Sequence, residues 1–210
     1  MDIIKDFLHN TGQAFLLPCI LVLLLFLLLT LWEIGSVLIE YFWERRRVRI
    51  DMPALLRELH AGGAAQAAEL IERSALLPRQ RRAILAVLAA ELPGAERTAL
   101  AQDLLAAEER HYDRSTFLTD SIAKLGPMFG LLGTLIPLGP GIVALGQGDT
   151  TALAASLGLA FDTTIAGLLA AAICFLISRI RLRWYEAYLQ ATETLLECVL
   201  EEQRAAEEQA

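Results

Sequence analysis

The sequence has few of the residues from which catalytic and metal sites are built. Its 210 residues include three cysteines and three histidines. Cys19, Cys174 and Cys198 are far apart and form no CxxC pair, so neither a disulfide framework nor a zinc site is expected. The apolar segments contain no Ser-His, Cys-His, paired-carboxylate or HExxH arrangement. The sequence therefore predicts no enzyme, no metal site and no cofactor.

The chain also lacks an excess of positive charge. It carries 18 Lys and Arg against 25 Asp and Glu, a formal net charge of −7. Nucleic-acid binders need a basic face to neutralise phosphates, so no nucleic-acid partner is expected. Extensive disorder is excluded as well, because 55% of the residues are hydrophobic, above the roughly 45–50% that is usual in soluble domains.

The excess of hydrophobic residues is concentrated in three runs. The first two contain no charged residue over 19 and 22 positions, and the third contains only Asp162 in 29 positions. About 20 apolar residues suffice for a helix to cross the roughly 30 Å of a hydrocarbon core. The sequence therefore predicts an all-α membrane protein with three transmembrane helices: TM1 at 14–34, TM2 at 125–146 and TM3 at 152–178.

Two other interpretations of these runs are disfavoured. A cleaved signal peptide at the N-terminus would need a positive leading segment and a small-residue cleavage site. Asp2, Lys5 and Asp6 precede the first run, and no such cleavage site follows it. A buried core helix of a soluble protein is an alternative for the third run alone, but three such runs in 210 residues favour a membrane protein.

The basic residues predict the orientation in the membrane. Of the 18 Lys and Arg, all but Lys5 fall in residues 44–124 and 179–210. Basic residues favour the cytoplasmic side, so both segments are expected in the cytoplasm and the N-terminus outside. Trp32, Trp43 and Trp184 lie near the predicted cytoplasmic ends of the spans, where aromatic rings favour the headgroup layer.

The cytoplasmic segments, 44–120 and 179–210, have a helical composition dominated by Ala, Leu, Glu and Arg. Asp51 is expected to cap a short helix over 52–60, which Gly62 and Gly63 end. A second helix is expected over about 64–76. Pro78 is expected to open a third that ends near Pro93.

Two longer helices are expected because residues that end helices are missing over long stretches. From about Ala95 no breaker occurs before Gly126 and Pro127, so this helix is expected to lead directly into TM2. TM3 is likewise expected to continue from Arg179 to about Glu208. The simplest interpretation of the cytoplasmic part is a solvated helical bundle with no functional site of its own.

TM2 contains a stripe of glycines and two prolines. Gly126, Gly130 and Gly133 fall on one helix face, where small residues let helices approach closely in lipid. One three-span subunit is not expected to satisfy this stripe, so it predicts a ring of subunits with TM1 on the lipid side. Pro137 and Pro140 are expected to bend or unwind the outer end of the helix, in a structural or gating role.

TM3 contains a carboxyl group, which is costly to ionise in a membrane and marks a candidate functional residue. Asp162 lies about 200° from Thr164 on the helix, so the two cannot line one surface. Asp162 is expected level with Pro137 and Pro140, where it can satisfy backbone groups that an unwound turn exposes. A structural or gating role is therefore expected for Asp162, rather than direct conduction.

Two stretches of these spans resemble a known family. The run Gly130-Leu-Leu-Gly-Thr134, followed by Thr163, Thr164, Gly167 and Leu168 in TM3, is similar to the MotA/TolQ/ExbB proton-channel family. The three-span layout is closest to the TolQ/ExbB branch. The detailed likeness covers residues 126–185, and elsewhere only the topology agrees.

The resemblance implies a homopentamer in the inner (plasma) membrane. The partner is a single-span subunit of the MotB/TolR/ExbD type, held in a central pore, and proton flow drives mechanical work. By position, Thr134 and Thr164 match the ring threonines that line the ion path, with Thr163 beside them, and Gly167 joins the packing glycines. Leu159 stands where TolQ/ExbB members have a glutamate, so a sodium-driven relative is an alternative. A membrane scaffold or transporter accessory subunit with no ion path of its own is the other alternative.

Overall fold

Helix-favouring residues with widely spaced breakers produce a helical chain. The computed structural model describes residues 7, 11–42, 52–74, 76–90 and 92–208, without the side chains of 63–65 and 206–208, and no strand occurs in these ranges. Lys5, Trp43, Asp51 and the basic run 44–49 lie outside them. The main helices are α1 (Leu16–Glu40), α2 (Met52–Arg73), α3 (Pro78–Leu88), α4 (Gly94–Gly146) and α5 (Thr150–Glu208).

Three of these helices are long and apolar enough to cross a membrane. The candidate spans are Thr11–Glu40, Gly94–Gly146 and Thr150–Ala205. The long helices expected from the missing breakers are present: α4 is continuous over 53 residues and α5 over 59. Both extend well beyond the roughly 20 residues that a hydrocarbon core requires.

The predicted break at Gly62 and Gly63 is wrong, because α2 is continuous from Met52 to Arg73. A glycine inside a helix costs about 1 kcal/mol relative to alanine. Burial on both sides of the pair outweighs this cost, since Leu59 and Ile71 are almost fully buried in the same apolar core. A fully buried Leu or Ile contributes about 1.5–3 kcal/mol.

The predicted unwinding at Pro137 and Pro140 is also wrong. The backbone of α4 remains helical through both residues. Because proline has no N–H, Pro140 leaves the carbonyl of Ile136 without its usual helical donor. The side chain of Gln13 donates to that carbonyl at 3.2 Å. A residue that precedes α1 thus satisfies the carbonyl, and the helix need not open there.

A short turn reverses the chain between α4 and α5. Gly148 has a φ of +78°, a left-handed conformation that glycine adopts without steric cost. The side chain of Asp149 accepts a hydrogen bond from the Ala152 N–H at 2.9 Å, which caps the start of α5. With only three residues between the helices, α4 and α5 are adjacent and antiparallel.

The chain divides into two compact units. One, here called the span unit, comprises Met1–Ser36 and Phe117–Arg179. The other, here called the extension unit, comprises Val37–Thr116 and Ile180–Ala210.

The extension unit has its own apolar core and a buried polar clamp. Ile84 and Val87 of α3 are fully buried against Leu195 and Val199 of α5. Gln80 is 1% exposed and accepts from the Leu77 N–H at 3.1 Å. Its amide group donates to the Tyr188 carbonyl at 2.9 Å and to the Thr192 hydroxyl at 3.1 Å. The Gln80 side chain therefore caps the start of α3 and links it by hydrogen bonds to α5.

A buried ion pair joins α1 and α5 within the extension unit. Nε of Arg181 in α5 lies 3.1 Å from a carboxylate oxygen of Glu40 at the end of α1, and both side chains are largely buried. The neighbouring Tyr185 bonds the Ser115 hydroxyl at 3.2 Å. Burial raises the pKa of Tyr185 to about 12. The phenol therefore remains neutral near pH 7.

Candidate ion-path face

The glycines of α4 lie against small residues of α5 in the same subunit. A Cβ added at Gly133 would lie 2.5 Å from Cβ of Thr163, and one added at Gly126 would lie 2.7 Å from the carbonyl oxygen of Gly167. Further along, Gly141 lies against Ser156. As residue numbers rise along α4 they fall along α5, so the contact is antiparallel and continuous.

This contact within the subunit removes one reason for predicting a ring of subunits. The stripe of Gly126, Gly130 and Gly133 was expected to remain unsatisfied within one subunit, yet all three are buried, and Gly167 packs on them from α5. The stripe therefore joins TM2 to TM3 within the chain and carries no information about the number of subunits.

Thr163 belongs to this buried contact and not to an open surface. It is 5% exposed, and its hydroxyl donates to the carbonyls of Leu159 and Ala160 at 3.0 and 2.9 Å. The structure thus places Thr163 inside the subunit, between α4 and α5, whereas the sequence predicts it beside the ion path. Its methyl and hydroxyl groups fill the space that Gly133 leaves open.

Thr134 and Thr164 lie on one side of the same contact. Each follows a contact residue, Gly133 or Thr163, and is rotated from it by about 100°. Because α4 and α5 are antiparallel and face each other, equal rotations carry both threonines to the same side. Their positions along the helix axes differ by about 3 Å at 1.5 Å per residue. We call this side of α4 and α5 the threonine face.

The two hydroxyls on the threonine face already donate to their own helices. Oγ1 of Thr134 donates to the Leu131 carbonyl at 2.7 Å, and Oγ1 of Thr164 donates to the Ala160 carbonyl at 3.0 Å. Each oxygen retains acceptor capacity after this donation. The exposed side chains beside them, Leu131 and Leu168, are apolar. The face can therefore solvate a cation at one level within an otherwise apolar surface.

Helix α1 packs on the opposite side of the contact. The rings of Phe26 and Phe129 are 5.7 Å apart, edge to face, and the Cys19 thiol donates to the Phe129 carbonyl at 3.2 Å. Phe129 lies five residues before Thr134, so it is rotated by about 140° from Thr134 on α4. α1 therefore leaves the threonine face uncovered within the subunit.

Asp162 lies on the α1 side of α5 and does not join α5 to α4. It precedes Thr163, so it is rotated in the sense opposite to Thr164. Its side chain is exposed, and it makes no hydrogen bond or ion pair with the residues that the structure describes. The hydrogen bond expected between Asp162 and the backbone near Pro137 is not formed among the described residues. Asp162 is level with Gly133 and Thr134 rather than with the prolines.

The sequence analysis did not identify a second polar pair, which joins α4 to α5. The Ser178 hydroxyl bonds a carboxylate oxygen of Asp120 at 2.5 Å. Asp120 precedes Thr134 by 14 residues and Ser178 follows Thr164 by 14, which is about four turns and 21 Å in each helix. The spacing from each threonine to its polar neighbour is the same on the two helices. This equality is visible in the sequence and is the signal by which the pair could have been identified.

Metal binding has no support in this part of the protein. Among the described residues, no three His, Cys, Asp or Glu side chains lie close enough together to hold a metal ion. The chemistry available on the threonine face is therefore that of two hydroxyls, with the Asp120 carboxylate about four turns away along α4.

Comparison with known proteins agrees with the resemblance seen in the sequence. Residues 72–194, more than half of the chain, match the MotA/TolQ/ExbB proton channel family. The matched range contains all of α4 and the part of α5 that carries Thr164 and Ser178. No curated protein matches the chain significantly. The family is one of proton channels and not of enzymes. The chain belongs to the MotA/TolQ/ExbB proton channel family and is a multi-pass membrane protein.

Proposed function

We propose that five copies of this chain form a ring in the inner membrane and act as the stator of an ion-driven motor. The proposed partner is a single-span subunit of the MotB/TolR/ExbD type, whose transmembrane helix occupies the central pore and carries the titrating carboxyl group. The driving ion is a proton. Its flow through the interface between ring and partner moves one against the other and performs mechanical work.

The observation that carries the proposal is the threonine face. Two hydroxyls lie at nearly the same level on a side of α4 and α5 that α1 leaves open. A hydroxyl solvates a passing cation without the cost of a permanent charge in the membrane, which amounts to at least a few kcal/mol. The exposed Leu131 and Leu168 beside the threonines suit contact with an apolar partner helix.

The position of α1 supports the arrangement of the ring. Helix α1 lies opposite the threonine face, and its exposed side chains are mainly leucines. A pore lined by the threonine face thus leaves α1 on the lipid side. With the basic residues in the cytoplasm, the N-terminus is outside and residues 44–120 and 179–210 are cytoplasmic. Pro137 and Pro140 then lie towards the outside, in a structural role.

The membrane potential is a sufficient source of energy for such a motor. One charge that crosses 100 mV releases about 2.3 kcal/mol. A few ions per step therefore supply more than the energy of a typical hydrogen bond, about 1 kcal/mol. Asp120, which is half-buried and accepts a hydrogen bond from the buried Ser178, gives the ion a second polar position nearer the cytoplasm.

The test removes single hydroxyls and measures partner-dependent ion flux. The chain and a single-span partner are co-expressed, and the complex is reconstituted in proteoliposomes with a pH-sensitive dye inside. We expect Thr164→Val and Thr134→Val to lose most of the proton flux while the ring and the bound partner remain. Valine has the shape of threonine and lacks only the hydroxyl.

Two matched variants serve as controls. Thr163→Val removes a hydroxyl from the buried contact, and Asp162→Asn removes a charge from the α1 side; both should conduct as the wild type does. Normal flux in Thr164→Val and Thr134→Val would contradict the proposed roles. A tight wild-type complex that conducts no ions would instead favour a scaffold or accessory subunit.

A further inference from the structure

A cavity in the extension unit is not explained by an ion path. It has a volume of about 560 Å³ and opens between the end of α1 and the middle of α5. The size falls within the roughly 300–1,000 Å³ of small-molecule sites. Its lining consists of Val37, Leu38 and Tyr41 from α1, and Ile180, Arg183, Trp184, Ala187 and Tyr188 from α5.

The walls combine apolar groups with aromatic rings. Leu38, Tyr41 and Ile180 are each between 42% and 52% exposed, so the chain leaves apolar surface uncovered at this place. The rings of Tyr41 and Trp184 stack at 6.2 Å with an interplanar angle of 28°. Tyrosine and tryptophan favour the headgroup level of a membrane. Such walls suit a molecule that is apolar at one end and polar at the other.

The charge of the lining is positive. The nearby Glu40 is paired with Arg181 at 3.1 Å, so those two charges cancel. Arg183 is exposed, and no described residue bonds or pairs with it. Among the described residues that line this cavity, it is the only charged one. An occupant that carries one negative charge at its polar end would complement the site.

We propose that this cavity binds one acidic phospholipid, phosphatidylglycerol, from the cytoplasmic leaflet. Arg183 holds the phosphate, and the acyl chains lie along Val37, Leu38 and Ile180. Tyr41 and Trp184 flank the glycerol. Basic pockets between membrane helices on the cytoplasmic side bind anionic headgroups by the same attraction.

The test measures lipid binding directly. The full chain is purified in mild detergent, stripped of lipid and titrated with phosphatidylglycerol or phosphatidylcholine, and native mass spectrometry counts the bound molecules. We expect one phosphatidylglycerol per chain, bound more tightly than phosphatidylcholine. Arg183→Gln should weaken phosphatidylglycerol binding about fivefold, since one basic residue contributes about 1 kcal/mol at such a surface.

Two further variants make the test specific. Arg179→Gln removes an exposed arginine that does not line the cavity, and it should bind lipid as the wild type does. Ala187→Phe fills the cavity without removing a charge, and it should lower binding as well. Circular dichroism checks that each variant remains helical.

Three results would overturn the proposal. One is unchanged phosphatidylglycerol binding in Arg183→Gln, and another is equal binding of the two lipids by the wild type. The third is a change in the number of chains per particle, without loss of lipid, in Arg183→Gln and Ala187→Phe. That result would show that a second copy of the chain covers the cavity.

Discussion

At the scale of single residues, a shift of one position along a helix changes which neighbours a side chain can contact. Asp162, Thr163 and Thr164 are consecutive, yet one lies on the α1 side, one is buried against Gly133 and one belongs to the threonine face. The cause is the rotation of about 100° per residue in a helix. In a membrane helix, neighbouring polar residues therefore need not share a function.

Asp120 is predicted to take part in ion transfer. Asp120→Asn retains an oxygen that can accept the Ser178 hydroxyl but cannot exchange a proton, so proton flux should fall while ring and partner remain assembled. Flux into proteoliposomes and size-exclusion profiles of the complex check both parts. Asp162→Asn on the α1 side is the matched control, and normal flux in Asp120→Asn would show that the carboxylate only anchors Ser178.

At the scale of elements, buried contacts override local breakers. Gly62 and Gly63 do not end α2 because its flanking apolar residues are buried in one core. Pro140 does not open α4 because Gln13 satisfies the carbonyl of Ile136. A glycine within a helix costs only about 1 kcal/mol, which the buried core outweighs. The carbonyl that Pro140 leaves without a donor receives a hydrogen bond from a distant side chain.

The contact between α4 and α5 is predicted to depend on Gly133. A Cβ there would meet Thr163 at 2.5 Å, so Gly133→Ala must push the helices apart and should destabilise the subunit by about 1–3 kcal/mol. Gly139→Ala on the same helix is the control, because a Cβ there meets nothing within 4 Å. Thermal unfolding in detergent compares the two, and equal midpoints would contradict the close contact.

At the scale of the whole molecule, one subunit leaves much apolar surface uncovered. Phe161, Ile165 and Leu168 of α5 and Leu135 of α4 are each more than half exposed. In the proposed ring, lipid covers such surface on the side of α1, whereas the threonine face, with its two hydroxyls, suits a partner helix and water better than lipid chains.

The assembled ring is predicted to contain five chains. Native mass spectrometry in mild detergent should give a particle of about five times 23.1 kDa, and a heavier one when the single-span partner is co-expressed. A monomer or dimer under the same conditions would contradict the ring.

Several features followed from the sequence alone, because they depend on local composition. The continuity of α4 before Gly126 and of α5 beyond Arg179 followed from the absence of helix-breaking residues, and the three spans followed from runs with at most one charged residue. The family followed from Gly130 to Thr134 and from Thr163 to Leu168. Helical rotation also separated Thr164 from Asp162 before any contact was known.

Only the tertiary structure decided which helix faces meet. It assigned the glycine stripe to a contact within the subunit, buried Thr163 and left Thr164 on a free side. It paired Asp120 with Ser178, which are 58 residues apart, and supplied Gln13 to a carbonyl 123 residues away. Periodicity defines the faces of a helix but not their partners, because partner choice depends on shape complementarity and on hydrogen bonds between distant segments.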